Sequence, residues 1–326
     1  MHVLSTSILI PPTDEELLAP LRAIGATVAY SPFPGRRAPG EMAALLRNTD
    51  AMLAGTDPMT EAVLDEAPKL KLIARVGVGY DAVDVEAAHR RGVTVTVTPG
   101  ANEHAVADYT LASMLALLRG VVHNHVTTAA GEWNRRPGVD LSGKTVGIVG
   151  LGRIGKLVAR RLAGFDVQLL AADLYPDAAF AAQYGIRYVP LDDLLVAADV
   201  VTFHVLLTPE TRHLLDARRL ALLKPSAFVV NTCRGPVIDE RALAQALTAG
   251  QLAGAALDVF EEEPPRASPV LTAPNVLLSP HIAGISKEAA RRMAEMAVAE
   301  AVRSLQGQPP LHPVHVSPSF AANRRD

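Results

Sequence analysis

The segment Lys144–Asp173 constrains the fold more than any other part of the chain. Lys144–Gly150 is a short apolar run of strand character, and Val167–Asp173 is another. Between them, Ile154–Phe165 repeats apolar Ile154, Leu157, Val158 and Leu162 along one helical face. A switch from strand period to helix period and back within about 30 residues is the pattern of a βαβ unit, whose two strands run parallel. The junction reads Gly150-Leu151-Gly152-Arg153-Ile154-Gly155, a G-x-G-x-x-G hexapeptide. Gly150 suits the tight turn, Gly152 lets backbone approach a pyrophosphate, and Gly155 lets helix and strand pack closely. N–H groups at the helix start then face the phosphates. Alone, the hexapeptide is a weak signal, since a structural glycine turn has the same letters. At a strand–helix junction it predicts a dinucleotide site. Asp173 ends the second strand roughly 20 residues on, where a carboxylate accepts from the adenosine ribose 2′-hydroxyl and repels a 2′-phosphate. NAD is therefore expected over NADP; the plainer reading of Asp173 is a solvated acid at a strand end.

Strand-like runs alternate with helical patterns through the rest of the chain, which points to an α/β fold with a mainly parallel sheet. The runs before the βαβ unit are His2–Ile10, Ala51–Ala54, Leu70–Arg75 and Val93–Val97. A long amphipathic segment, Ala105–Arg119, leads from this first α/β unit towards the second, ending at Gly120. Downstream runs fall at Ile186–Pro190, Val200–Val205, Ala227–Cys233, Gly254–Phe260 and Val276–Ser279. The last helix is predicted over Lys287–Leu305, with Ser286 as N-cap and Gly307 as its stop. Pro309–Pro313 cannot continue it and is expected to return to the first domain. A length of 326 residues suits two domains, at roughly 100–200 residues each.

Bulk composition excludes several classes of function. Formal charge is −3, from 31 basic and 34 acidic residues, with no basic tail or stripe, which argues against nucleic acid and anionic membranes as partners. Only 4% of residues are aromatic, too few for base-stacking platforms. The single cysteine, Cys233, rules out an intrachain disulfide framework and a multi-cysteine metal site. The strongest apolar run, Leu111–Leu118, is far short of the roughly 18 residues a membrane span needs. The N-terminus lacks the pattern of a secretory signal. A soluble, cytoplasmic protein is expected.

Three further stretches stand at strand ends: Asn231-Thr232-Cys233-Arg234-Gly235, Asp258-Val259-Phe260-Glu261-Glu262-Glu263-Pro264, and Ser279-Pro280-His281. Carboxyl ends of strands are where open α/β sheets bind ligands. An arginine, a glutamate and a histidine converging there supply an anion clamp, an orienting carboxylate and a proton-transfer group. With Arg75-Val76-Gly77-Val78-Gly79-Tyr80-Asp81 and the glycine hexapeptide, these stretches closely resemble the D-isomer-specific 2-hydroxyacid dehydrogenases. That family includes phosphoglycerate, hydroxypyruvate/glyoxylate and D-lactate dehydrogenases. The resemblance runs from about Leu70 to Pro313, and these motifs in the family's order are far more specific than any one.

The resemblance implies two Rossmann-like, doubly wound parallel-sheet domains. Residues 1–102 with 286–326 would form a flavodoxin-like substrate domain and 103–285 the NAD-binding domain, with a cleft that closes on substrate. It implies an NAD-dependent oxidoreductase that moves a hydride to or from C2 of a small 2-hydroxy or 2-oxo acid. Arg234 would bind the substrate carboxylate and C2 oxygen, His281 would act as general acid/base, and Glu263 would pair with His281. The hydroxyl proton must leave in step with the hydride, a task suited to imidazole. A guanidinium offers a carboxylate a two-pronged fork that lysine cannot reproduce.

Further positions follow from the same resemblance. Arg153 and Ile154 would offer backbone N–H to the pyrophosphate, and Asp258 would bond the nicotinamide carboxamide unless it is a buried capping acid. His204, Val205 and Thr208 would run beside the cofactor with Thr232 and Cys233, although Leu206 stands where the family usually has proline. Val78 and Gly79 would grip the substrate carboxylate through backbone N–H, with Asn102 lining the same cleft. Arg75 and Arg135 match positions available for a substrate phosphate, or are solvated or interdomain charges, so 3-phosphoglycerate stands beside hydroxypyruvate and glyoxylate. Cys233 reads as a small filler rather than a nucleophile, and His123 and His125 lack partners for a metal, so none is expected. A homodimer is implied, with Val106–Leu118 and the Trp133 loop as partner surface. The competing reading from another class is a non-enzymatic NADH-sensing binding protein of the same family. An NAD-retaining hydrolase would need a longer chain.

Overall fold

The computed structural model describes residues 1–31 and 37–315. Residues 316–326, the end of the expected first domain, lie outside the described residues. The chain divides into two compact units, Met1–Asn102 with the described residues from Ser286 onward, and Glu103–Ile285.

The first unit alternates strands and helices: β1 (His2–Ser5), α1 (Glu15–Ala23), β2 (Thr27–Tyr30), α2 (Pro39–Leu46), β3 (Ala51–Ala54), α3 (Glu61–Asp65), β4 (Leu72–Arg75), α4 (Val85–Arg90) and β5 (Thr94–Thr96). Its sheet has the order β2-β1-β3-β4-β5, and the strands pair in parallel. That is the flavodoxin-like winding. Every residue of β3 is buried, as expected of a strand covered on both faces. Two features depart from the pattern read in the sequence. β1 stops at Ser5 because the chain turns at Ser7, whose Oγ accepts from Leu9 N at 3.2 Å. β2 escapes notice because it is an edge strand with no fully buried residue, so it carries no continuous apolar run.

The second unit begins with α5 (Glu103–Arg119) and α6 (Val121–Ala129), then runs β6 (Thr145–Val149), α7 (Arg153–Leu162), β7 (Gln168–Ala172), α8 (Ala178–Tyr184), β8 (Ile186–Tyr188), α9 (Leu191–Ala197) and β9 (Val200–Phe203). It continues with α10 (Ala217–Leu220), β10 (Phe228–Asn231), α11 (Glu240–Thr248), β11 (Gly254–Leu257) and β12 (Val276–Leu278). Its seven strands lie in the order β12-β11-β10-β9-β6-β7-β8, all parallel. Winding reverses between β6 and β9, and ligands bind at the carboxyl ends beside such a reversal. Alternate residues feed opposite cores: Val201 and Phe203 of β9 join one cluster, and Val200 joins the other. Helix α5 covers that second cluster with Ala107, Leu111, Met114 and Leu118. Helix α6 was not anticipated. It buries no residue, so it has no core-facing stripe to read. Among the described residues no single helix is long and apolar enough to cross a membrane; α5 and α6 reach that length only together, across a 62° bend.

The final helix, α12 (Lys287–Leu305), returns to the first unit and packs on α1, β3 and β4. Ser286 caps it, its Oγ accepting from Ala289 N at 3.0 Å. The tail then runs antiparallel to β5, with Val97 N donating to His312 O at 3.2 Å and Val314 N to Val95 O at 2.8 Å. Glu300, only 1% exposed, accepts from the N–H groups of Leu311 and His312. A buried carboxylate so satisfied is tolerable, and it pins the tail.

Candidate active site

The glycine hexapeptide sits where β6 turns into α7. Gly150 has φ +92°, a conformation open to glycine, and a Cβ on Gly155 would lie 2.2 Å from the Gly150 carbonyl oxygen. At Gly152 the position of a Cβ faces open space, and no side chain caps the helix there. The N-terminal end of α7, with Arg153 and Ile154 as its first residues, is thus an uncapped cradle of the kind a pyrophosphate fills. Asp173 follows β7 and turns back onto this loop, accepting from Leu151 N at 2.6 Å and from Tyr175 N at 2.8 Å. A carboxylate has about four acceptor positions, so these two bonds leave room for a ribose hydroxyl. The chain's own residues therefore fit a dinucleotide.

His204 and Val205 follow β9 and press on the same turn: a Cβ on Gly150 would lie 2.8 Å from the His204 carbonyl. His204 Nε2 lies 3.0 Å from Thr202 Oγ1, while Nδ1 is buried without a partner. Burial pulls its pKa down from 6.5 to about 3, so the ring is neutral. Below pH 6.5 the unfolded chain binds a proton at this residue that the folded chain refuses, so stability falls as pH drops towards 3. At pH 5 the difference of about 1.5 pH units is worth about 2 kcal/mol. Urea titrations of His204→Asn at pH 7 and pH 5 are expected to show a loss smaller than wild type's by about that amount; equal losses in both proteins would locate the acid sensitivity elsewhere. Leu206 does not open the following loop. Thr211 Oγ1 donates to Leu206 O at 2.6 Å, and exposed Thr208 donates its N–H to Thr211 Oγ1 at 2.7 Å.

Arg234, Glu263 and His281 lie in the loops after β10, β11 and β12, which are neighbours in the sheet. Parallel strands about 4.8 Å apart launch those loops side by side. In the first loop, Asn231 Nδ2 donates to Arg234 O at 2.9 Å and Asn231 Oδ1 accepts from Cys233 N at 3.0 Å, an Asx turn that sets the arginine. Thr232 Oγ1 lies 2.9 Å from Thr110 Oγ1 of α5. Burial pushes the Cys233 thiol up to about 11, so it is a poor nucleophile.

In the next two loops, His281 Nδ1 lies 2.8 Å from Glu263 Oε2, and Glu263 Oε1 accepts from Phe260 N at 3.2 Å. His281 has φ +55°, and its N–H donates to the Asp258 carbonyl at 2.7 Å. Asp258, 2% exposed, accepts from Ser279 Oγ at 2.6 Å, Ile282 N at 2.9 Å and Ala283 N at 2.8 Å. Its carboxylate clamps the histidine-bearing segment, as the capping reading of this residue describes; any bond to a carboxamide comes on top of these three. A carboxylate on Nδ1 selects the tautomer and holds the ring, which leaves Nε2 as the nitrogen available to other partners.

The remaining predicted residues belong to the first unit. Val78 and Gly79 follow β4, and Arg75 folds over their loop, donating from Nε to Gly79 O and from Nη1 to Ala54 O, both at 2.8 Å. Asn102 ends the unit with its Oδ1 buried and unpartnered. In the second unit, Arg135 stacks 5.7 Å from the Trp133 ring centre. Among the described residues no three His, Cys, Asp or Glu side chains converge as a metal site would require.

Residues 111–283 match the model of the D-isomer specific 2-hydroxyacid dehydrogenase, NAD binding domain. The chain belongs to this family. It is 42% identical over 276 residues to the glyoxylate reductase of Thermofilum pendens, covering 81% of each chain. It is 44% identical over 266 residues to the D-3-phosphoglycerate dehydrogenase of Mycobacterium tuberculosis H37Rv, but matches only 50% of that longer protein. The NAD-dependent formate dehydrogenase of Staphylococcus aureus, solved in complex with NAD, superposes with a TM-score of 0.86 at 29% identity, covering 97% of this chain and 100% of that one. As a 2-hydroxyacid dehydrogenase the chain is an oxidoreductase with an NAD-binding domain.

Proposed function

We propose that this dehydrogenase interconverts a small, unphosphorylated 2-oxo acid, of the glyoxylate or hydroxypyruvate kind, and its D-2-hydroxy acid. One observation carries the reading: the 2.8 Å His281–Glu263 pair stands in a row of strand-end loops that also holds Arg234. In the reduction direction, Arg234 binds the carboxylate and the C2 oxygen, and His281 Nε2 delivers a proton to that oxygen. Glu263 accepts from Nδ1 and so holds the ring in place. The nicotinamide, when bound, supplies the hydride. Backbone N–H groups of Val78 and Gly79 and the amide of Asn102 are further ligands for the acid.

Substrate size is argued from two arginines. Arg75 spends Nε and Nη1 on backbone carbonyls, and Arg135 lies over Trp133. Arg75 is thus engaged by the backbone in place of a phosphate, and Arg135 rests on an exposed indole. Initial rates with NADH and glyoxylate, hydroxypyruvate, pyruvate or 3-phosphohydroxypyruvate test this directly. The highest kcat/KM is expected for glyoxylate or hydroxypyruvate, and a clear preference for the phosphorylated acid would overturn the choice.

NAD is the cofactor in this reading because Asp173 places a carboxylate at the glycine turn. Asp173→Ala is expected to raise kcat/KM for NADPH relative to NADH about tenfold or more, the loss of one like-charge repulsion of at least about 1.4 kcal/mol. Wild-type enzyme that used NADPH as well as NADH would refute the premise. The active species is a homodimer. Trp133 is 78% exposed, and Val121, Val122 and Val126 of α6 are exposed close by. Trp133 shares a cavity with Asn124 and Thr128 of that helix, and exposed apolar side chains of this kind mark interaction surfaces. Light scattering is expected to give a dimer for wild type and a monomer for Val126→Glu/Trp133→Glu; a monomeric wild type would remove the claim.

A further inference from the structure

The loop that carries Glu263 is held at its start by a pair of carboxylates that the roles above leave unused. Glu240 is the first residue of α11, and Glu261 lies just beyond β11. Glu240 N donates to Glu261 Oε1 at 3.0 Å, and Glu261 N donates back to Glu240 Oε1. Each side chain therefore accepts the other's backbone N–H. The second oxygens are also engaged: Ser268 Oγ donates to Glu240 Oε2, and His213 Nε2 lies 3.2 Å from Glu261 Oε2. Buried or half-buried acids are costly without donors. Here two amides, a hydroxyl and an imidazole meet them.

A second, independent contact makes this clasp relevant to the site. A Cβ on Gly235 would lie 1.8 Å from the Phe260 carbonyl carbon and 2.4 Å from Glu261 N. The turn bearing Arg234 therefore rests backbone-to-backbone on Phe260-Glu261. His213 ties in the same turn from its other side, its N–H donating to Pro236 O at 2.7 Å. From Phe260 the contacts continue through its N–H to Glu263 Oε1, and from Glu263 to His281.

We propose that Glu261, locked by Glu240 and His213, is a positioning residue that sets the spacing between the Arg234 turn and the Glu263 carboxylate, and through it the aim of the His281 ring. The proposal rests on the roles given above to Arg234, Glu263 and His281. A helix cap alone would affect only stability. A spacer affects turnover, because an error of about 1 Å in the placement of reacting groups costs on the order of a hundredfold in rate.

The test compares Glu261→Ala, Glu261→Gln, His213→Asn and His281→Asn with wild type, using NADH and the best 2-oxo acid. Glu261→Ala is expected to lower kcat on the order of a hundredfold, with KM for NADH essentially unchanged. Glu261→Gln keeps an acceptor for the Glu240 N–H and is expected to recover most of that loss. His213→Asn tolerates the left-handed backbone at residue 213 (φ +49°) and is expected to lower kcat several-fold, again without a change in KM for NADH. Wild-type kcat in Glu261→Ala would overturn the proposal, as would equal losses in the alanine and glutamine variants that track their melting temperatures. Should Glu261→Ala fail to fold, His213→Asn decides, and wild-type kcat there rejects the spacer. His281→Asn separates the two levels. If it is inactive while Glu261→Ala is normal, only the clasp is wrong; if it turns over normally, the assignment of the proton donor fails first.

Discussion

His281→Asn is expected to lower kcat for reduction of the preferred 2-oxo acid by about 10³-fold, within the 10²–10⁴ range of a lost general acid. Asparagine is the informative replacement because residue 281 has φ +55°. Asparagine tolerates the left-handed region, whereas alanine would add about 1–2 kcal/mol of backbone cost and blur the reading. The backbone anchors of this segment survive the change: Asp258 O still accepts the residue-281 N–H, and its carboxylate still binds Ser279, Ile282 and Ala283. Melting temperature and NADH binding, followed by quenching of the cofactor's fluorescence, are therefore expected to stay near wild type. Glu263→Gln should lie between the two proteins, since an amide oxygen can still accept from Nδ1 but makes a weaker, uncharged hydrogen bond to hold the ring. A His281→Asn enzyme with near-normal kcat would show that another group protonates the substrate oxygen.

The legibility of this fold in its sequence followed burial. Strands β6, β9, β10 and β11 are covered on both faces, so they appear as unbroken apolar runs, and the glycine turn adds a conformational marker at Gly150. Strand β2 and helix α6 lack a buried stripe and were invisible for that reason. The strand-end positions of Arg234, Glu263 and His281 could be read because their motifs are local. The partners of the side chains that hold them could not. Asp258 reaches residues 279–283 only because β11 and β12 pair with Leu257 opposite Leu278, which sets Asp258 beside Ser279. Glu261 stands in the run Glu261-Glu262-Glu263, where nothing local tells a paired acid from a solvated one, and its partner Glu240 lies on a helix whose docking no local pattern announces. A carboxylate's choice between water and a distant N–H is decided by strand register and helix placement, which are tertiary facts.

Arg234→Lys is expected to lower kcat/KM for the 2-oxo acid by about 10²–10³-fold, and Arg234→Ala by about a further tenfold, from the loss of two charge-assisted hydrogen bonds worth about 1.5–3 kcal/mol each. Most of the lysine effect should fall on KM for the acid, because lysine keeps the charge and loses the planar fork that grips a carboxylate with two parallel bonds. The turn itself does not depend on the guanidinium. Asn231 bonds the Arg234 carbonyl and the Cys233 N–H, and Gly235 seats the backbone on Phe260, so both variants should fold and bind NADH as wild type does. The guanidinium's own bond to Cys233 O, at 2.6 Å, aims the side chain without being needed to close the turn. Steady-state kinetics with the acid varied at saturating NADH separate the outcomes. If Arg234→Lys left KM for the acid unchanged and lowered only the melting temperature, residue 234 would be a structural cation, and the carboxylate of the substrate would have to be held by another group.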